Sequence, residues 1–174
     1  MAVEYALMAK HGLDGDESFR IVAALATQLR EHLDREDVQS EIRKRHVIGA
    51  SSVAIQEVIL ERAGELGFQN EKTGLFSKYE VPGLRPDYYR AVGDTGVLLE
   101  VERGKTTTNN MDLLDLWKCH ICDRASYLFL VVPRERPSAN GSVLRHFKQV
   151  SRRLGTFFDP KNYVNVDAVH LFGY

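Results

Sequence analysis

Apolar residues return every three or four positions between residues 18 and 33, where Phe19, Val22, Ala26, Leu29 and Leu33 mark one face of a helix. Asp14, Asp16 and Glu17 suit its start. Residues 34–45 are densely charged, with Val38 and Ile42 as apolar anchors, which fits a solvated helix or a linker. A second helix is predicted from Ser51 or Ser52, either of which can cap it, to about Gly67. Its apolar arc is Val53, Ile55, Ile59, Leu60, Ala63 and Leu66, with Gln56 inside the arc and Glu57 at its edge. The pattern then changes to strands over 75–81, 87–92 and 96–102, with turns at Gly83, Pro86 and Gly93-Asp94. Helical spacing resumes over 110–125 through Met111, Leu114, Trp117 and Ile121, which places Trp117 in the core. Residues 127–132 form a continuous apolar run ended by Pro133, as a strand buried on both faces does. A last amphipathic helix over 142–154 carries Val143, Leu144, Phe147, Val150 and Leu154, and a final strand covers 166–172.

Helices interleaved with strands predict an α/β domain with a mixed central sheet flanked by helices. The 174 residues suffice for one domain: a helical extension over 1–46, a core over 50–133, and a basic helix with the final strand over 134–174. A net charge of −1 gives no global attraction to nucleic acid, so any such attraction must be local. From Arg134 to Lys161 there are seven Lys or Arg against two acids. Residues 1–13 lack a signal-peptide pattern and no apolar run reaches membrane-spanning length, so a cytoplasmic protein with no membrane partner is expected.

Three carboxylates change the picture. Asp87 opens the second predicted strand, and Glu100 and Glu102 close the third. Side chains alternate along a strand, so Glu100 and Glu102 share a face, with Cα atoms roughly 6.6 Å apart from two steps of about 3.3 Å, while Leu99 and Val101 point into a core. Acids on an otherwise apolar strand are costly to bury without a cation. A hard divalent metal is a natural partner, since Mg²⁺ is usually held by one or two carboxylates with water and phosphate. A strand face making surface ion pairs is the alternative.

Helix, three strands, helix, strand, with Pro86-Asp87 opening the second strand and Glu100-Val101-Glu102 closing the third, resembles the PD-(D/E)xK nuclease superfamily, the restriction-endonuclease-like fold. Glu102 stands where that family usually has lysine. The resemblance implies a Mg²⁺-dependent hydrolase of DNA phosphodiesters, with Mn²⁺ as a substitute metal. It implies Asp87, Glu100 and Glu102 as catalytic metal ligands, Glu57 as a further ligand from the preceding helix, and Gln56 bonded to a site carboxylate or water. Lys105 is the candidate for the missing lysine if a break at Gly104 turns it inward.

The resemblance also implies that Lys118, in the following helix, faces the site and contacts phosphate, and Arg145, Lys148 and Arg152 form a basic face for nucleic acid. Cys119-His120-Ile121-Cys122 lacks the second ligand pair of a closed zinc site and reads as buried thiols. Two other classes stay open. One is a nucleic-acid-binding or mobile-element accessory module that keeps the fold without hydrolysis; the other is a homodimerising interaction protein that uses the helix over 18–33.

Overall fold

The computed structural model describes residues 2–46, 53–70, 74–81, 84–103, 106–137 and 143–174. Strand β1 (Glu4–Ala9) is followed by α1 (Glu17–Asp34), α2 (Glu36–Arg45) and α3 (Val53–Glu65). Next come β2 (Gln69–Asn70), β3 (Tyr88–Val92), β4 (Thr95–Val101), α4 (Met111–Ile121) and β5 (Tyr127–Val132). The short β6 (Arg136–Pro137) and β7 (Val143–Leu144), then α5 (His146–Gly155) and β8 (Ala168–Gly173), complete the chain.

Six strands form one mixed sheet in the order β1-β8-β5-β4-β3-β2. Its centre, β4, β5 and β8, is parallel, and the flanking pairs β1/β8, β3/β4 and β2/β3 are antiparallel. Every residue of β5 and β8 is buried. One face packs Val97, Leu99, Phe129 and Phe172 against Val22, Leu29, Ile55 and Ile59 of α1 and α3. The other packs Leu98, Leu128, Leu130 and Leu171 against Leu116 and Cys119 of α4 and Phe147, Val150 and Leu154 of α5. The architecture is therefore an α/β sandwich of helices, mixed sheet and helices.

Local chemistry fixes the boundaries. The Asp16 carboxylate accepts from Phe19 N at 2.6 Å and caps α1. Residues 34–45 are a helix rather than a linker, because Val38, Gln39 and Ile42 are buried and Gln39 Nε2 donates to Leu33 O at 2.8 Å across the joint with α1. Ser51 and Ser52, the expected caps of α3, and the expected turn at Gly83 lie outside the described residues.

Four expectations are corrected. Residues 75–81 are turns, not a strand. Phe76 and Tyr79, three apart, set their rings together, Tyr79 OH donates to Ile121 O, and Ser77 Oγ donates to Gly74 O, all contacts of a curled chain. The two-residue β2 takes the first place of the three-strand set instead. The helix expected over 142–154 begins only at His146; Val143 and Leu144 pair with β6 and are exposed. The segment 1–46 is not purely helical, since β1 forms a sheet edge. Trp117, expected in the core, is 39% exposed. Among the described residues no helix is long and apolar enough to cross a membrane.

Candidate active site

β4 carries Glu100 on the same face as Leu98, towards α4, while Leu99 and Val101 face the α1–α3 layer. Glu100 is 3% exposed, so the surface ion-pair alternative does not describe it. Antiparallel pairing sets Asp87 beside Glu100. Asp87 N donates to Glu100 Oε2 at 3.1 Å, and Val101 N donates to Asp87 Oδ2 at 2.9 Å. The Gln56 side chain, reaching in from α3, also bonds Asp87.

The positive charge comes from α4. Lys118 Nζ donates to Glu100 Oε1 at 2.8 Å and to Asp115 Oδ1 at 2.9 Å, and all three residues are buried. Lys118, expected to face the site and meet phosphate, lies inside the acidic cluster with its ammonium already taken by Glu100 and Asp115. Asp112 extends the cluster by one turn and faces Arg153 Nε of α5 at 3.4 Å. Asp112, Asp115 and Lys118 follow one another at intervals of three, which puts them along one helix face. That polar stripe in an otherwise apolar helix was visible in the sequence, and Asp115 and Asp112 are the residues that sequence reasoning missed.

Burial dominates the electrostatics. Asp87 is raised above the usual carboxylate range by desolvation, against the pull of the Val101 N–H and Lys118. Glu100 and Asp115 are also raised, first by desolvation; Asp115 adds to the shift of Glu100, and Lys118 opposes it on both. Lys118 feels burial pulling it down, but Asp115 and Glu100 outweigh this and hold it charged. Glu102 is pushed up to about 7 by burial and by the negative charge of Asp115 and Asp87, with Lys118 opposing the shift.

The remaining predicted residues separate from this centre. Glu57 is directed elsewhere: its carboxylate takes Arg45 Nη1 at 2.9 Å beside a hollow of about 680 Å³ among α1, α2 and α3. The hollow is lined by surface charges, among them the pairs Arg45–Glu57 and Arg62–Glu65, and holds none of the buried acids of the cluster. Lys105 and Gly104 lie outside the described residues. Lys148 and Arg152 are exposed on α5, and Arg145, just before the helix, faces Glu135 at 3.6 Å. Cys119 and Cys122 are buried free thiols.

The acids of the cluster are oxygen donors, the kind of ligand a hard cation takes. Asp87, Glu100, Glu102 and Asp115 supply oxygen, and Asp115 Oδ2 is buried without a hydrogen-bond partner. Among the described residues no three His, Cys, Asp or Glu side chains are grouped to hold a metal. An ion here would therefore rest on two carboxylates, water and a substrate phosphate, the usual mode for Mg²⁺. Comparison with the profiles of known protein families finds no match, and a search among curated proteins finds no relative.

Proposed function

We propose that the protein is a Mg²⁺-dependent deoxyribonuclease with a restriction-endonuclease-like core of the PD-(D/E)xK kind, in which Lys118 of α4 takes the role of the absent strand lysine. The observation that carries this reading is the contact of one buried ammonium with Glu100 and Asp115, beside the bond from the Asp87 amide to the Glu100 carboxylate. The order α3, β2, β3, β4, α4, β5 supports it as the helix, three strands, helix, strand of the resemblance.

Asp87 and Glu100 would hold the Mg²⁺, which when bound polarises a phosphoryl oxygen and lowers the pKa of water. Gln56 and the Val101 N–H orient Asp87. Lys118 holds Glu100 in place and would supply positive charge for a bound phosphate. Glu102, raised by burial and by the neighbouring acids while no ion is bound, would be the group that accepts a proton from water. Lys148, Arg152 and Arg145 would meet the DNA backbone.

A second reading is favoured by the same contact: Glu100 and Asp115 are already compensated by Lys118, as in a purely structural ion-pair cluster within a nucleic-acid-binding module. Cleavage of duplex, single-stranded and branched DNA in Mg²⁺ or Mn²⁺, against an EDTA control, separates the two. The nuclease reading expects cleavage that Glu100→Gln abolishes while binding persists, since Gln keeps the volume but removes the charge. Binding by the wild type without cleavage of any substrate would establish the module instead.

A further inference from the structure

β1 is one edge of the sheet and, among the described residues, pairs only with β8. The direction of its backbone groups follows from the ladder. Tyr174 N donates to Val132 O at 3.0 Å, so even-numbered residues of β8 turn their amides towards β5 and odd-numbered ones towards β1. The register Glu4↔Gly173, Ala6↔Leu171, Met8↔Val169 then assigns the even residues of β1 to the bonds with β8, and Lys10 N to Asp167 O at 2.9 Å continues the series. Tyr5, Leu7 and Ala9 therefore present their N–H and C=O groups outward, and among the described residues no backbone partner meets them there.

Edge strands are ordinarily blunted by a proline, an inward lysine or a bulge. Residues 5–9, Tyr-Ala-Leu-Met-Ala, carry no proline and no charge, and the register with β8 runs without a bulge. Leu7 is 45% exposed at the middle of this edge.

We propose that β1 docks a second copy of this chain, antiparallel to its own counterpart about a twofold axis at Leu7. Three features of the strand agree on this one register. Pairing Leu7 with Leu7 sets Tyr5 opposite Ala9, so every outward amide finds an outward amide of the other copy. It brings the two exposed Leu7 side chains together on one face. It also sets Glu4 opposite Lys10 in a non-hydrogen-bonded pair, where side chains approach most closely, and the twofold repeats that pair at both ends. A shift by one residue directs unbonded amides against side-chain edges, and a shift by two separates Glu4 from Lys10. Lys10 already meets Asp167 at 3.0 Å with both side chains about one-third exposed, so its ammonium has room for a second acid. The product is a continuous twelve-stranded sheet.

Sedimentation velocity over the micromolar range tests this. The wild type should pass from monomer to dimer with concentration. Leu7→Lys, which sets like charges at the twofold, should weaken association at least tenfold, and Leu7→Thr, which keeps strand propensity, should weaken it less; circular dichroism should show both folded. Glu4→Lys, which sets like charges against Lys10 of the other copy, should weaken the dimer, and Glu4→Gln should weaken it less. A wild type that stays monomeric throughout, a Leu7→Lys protein that dimerises like the wild type, or a Glu4→Lys protein that does so would each overturn the proposal.

Discussion

Lys118 reaches Asp115, three residues earlier on its own helix, and Glu100, on the strand beneath, with bonds of 2.9 and 2.8 Å. An ammonium held by two buried carboxylates cannot be removed alone. Lys118→Met should destabilise the protein by about 3–5 kcal/mol near neutral pH, because it leaves buried charge without compensation. The triple change Lys118→Met, Glu100→Gln, Asp115→Asn should recover most of that loss. Urea unfolding of the two proteins measures the difference.

Glu102 gives a pH dependence of opposite sign to that of a salt-bridged acid. Its carboxyl is raised from 4.5 to about 7 in the folded state, so the unfolded chain loses this proton first as pH rises. The destabilisation begins near pH 4.5 and is complete above about pH 7. Glu102→Gln should therefore stabilise the protein at pH 8 by about 1–3 kcal/mol and change little near pH 4.5. Denaturation midpoints across that range check this.

His170 acts at the acid end. It is fully buried in β8, accepts or donates at Nδ1 with Tyr5 OH at 2.7 Å, and is lowered from 6.5 to about 4 by desolvation. The unfolded chain takes up the proton first as pH falls, so stability present above pH 6.5 is lost progressively towards pH 4, by up to ~3 kcal/mol. His170→Gln should flatten this part of the stability curve relative to the wild type, even if its stability at pH 7 is lower.

Gly96 is held open by a close approach. A Cβ there would lie 2.4 Å from Cε2 of Tyr89 and 2.7 Å from the carbonyl oxygen of Arg90. The backbone oxygen cannot give way without disturbing the β3/β4 ladder, so Gly96→Ala should cost about 1–3 kcal/mol or more. A lowered Tm with an unchanged far-ultraviolet spectrum is the expected result.

If Asp87 and Glu100 hold Mg²⁺ as proposed, the ion should stabilise the folded chain by mass action, about 2.7 kcal/mol at a hundredfold excess over Kd. Thermal unfolding with and without Mg²⁺ should show the shift in the wild type and not in Asp87→Asn. An equal shift in both proteins would count against these ligands.

The sequence by itself determined what short-range periodicity encodes. The apolar stripe of α1 and the continuous apolar runs of β4 and β5 were legible, because burial on one or both faces leaves its pattern in the chain. The run in β4 also brought out Glu100 as a charge inside an apolar strand, and the hairpin placed Asp87 near it. Only the tertiary structure decided the rest. Whether a helical stripe faces inward depends on what packs against it, so Trp117 turned outward while Asp115 and Lys118, on the opposite face of α4, turned to the sheet. Residues 75–81 had the composition of a strand but found partners for a curled chain in Ile121 and the α4 layer. β1 is short and weakly alternating, and it is a strand because β8 offers it an edge. The charge balance of the acidic cluster is likewise tertiary. Glu100 and Lys118 are eighteen residues apart on different elements, and their contact follows from the packing of α4 on β4, not from any spacing along the chain.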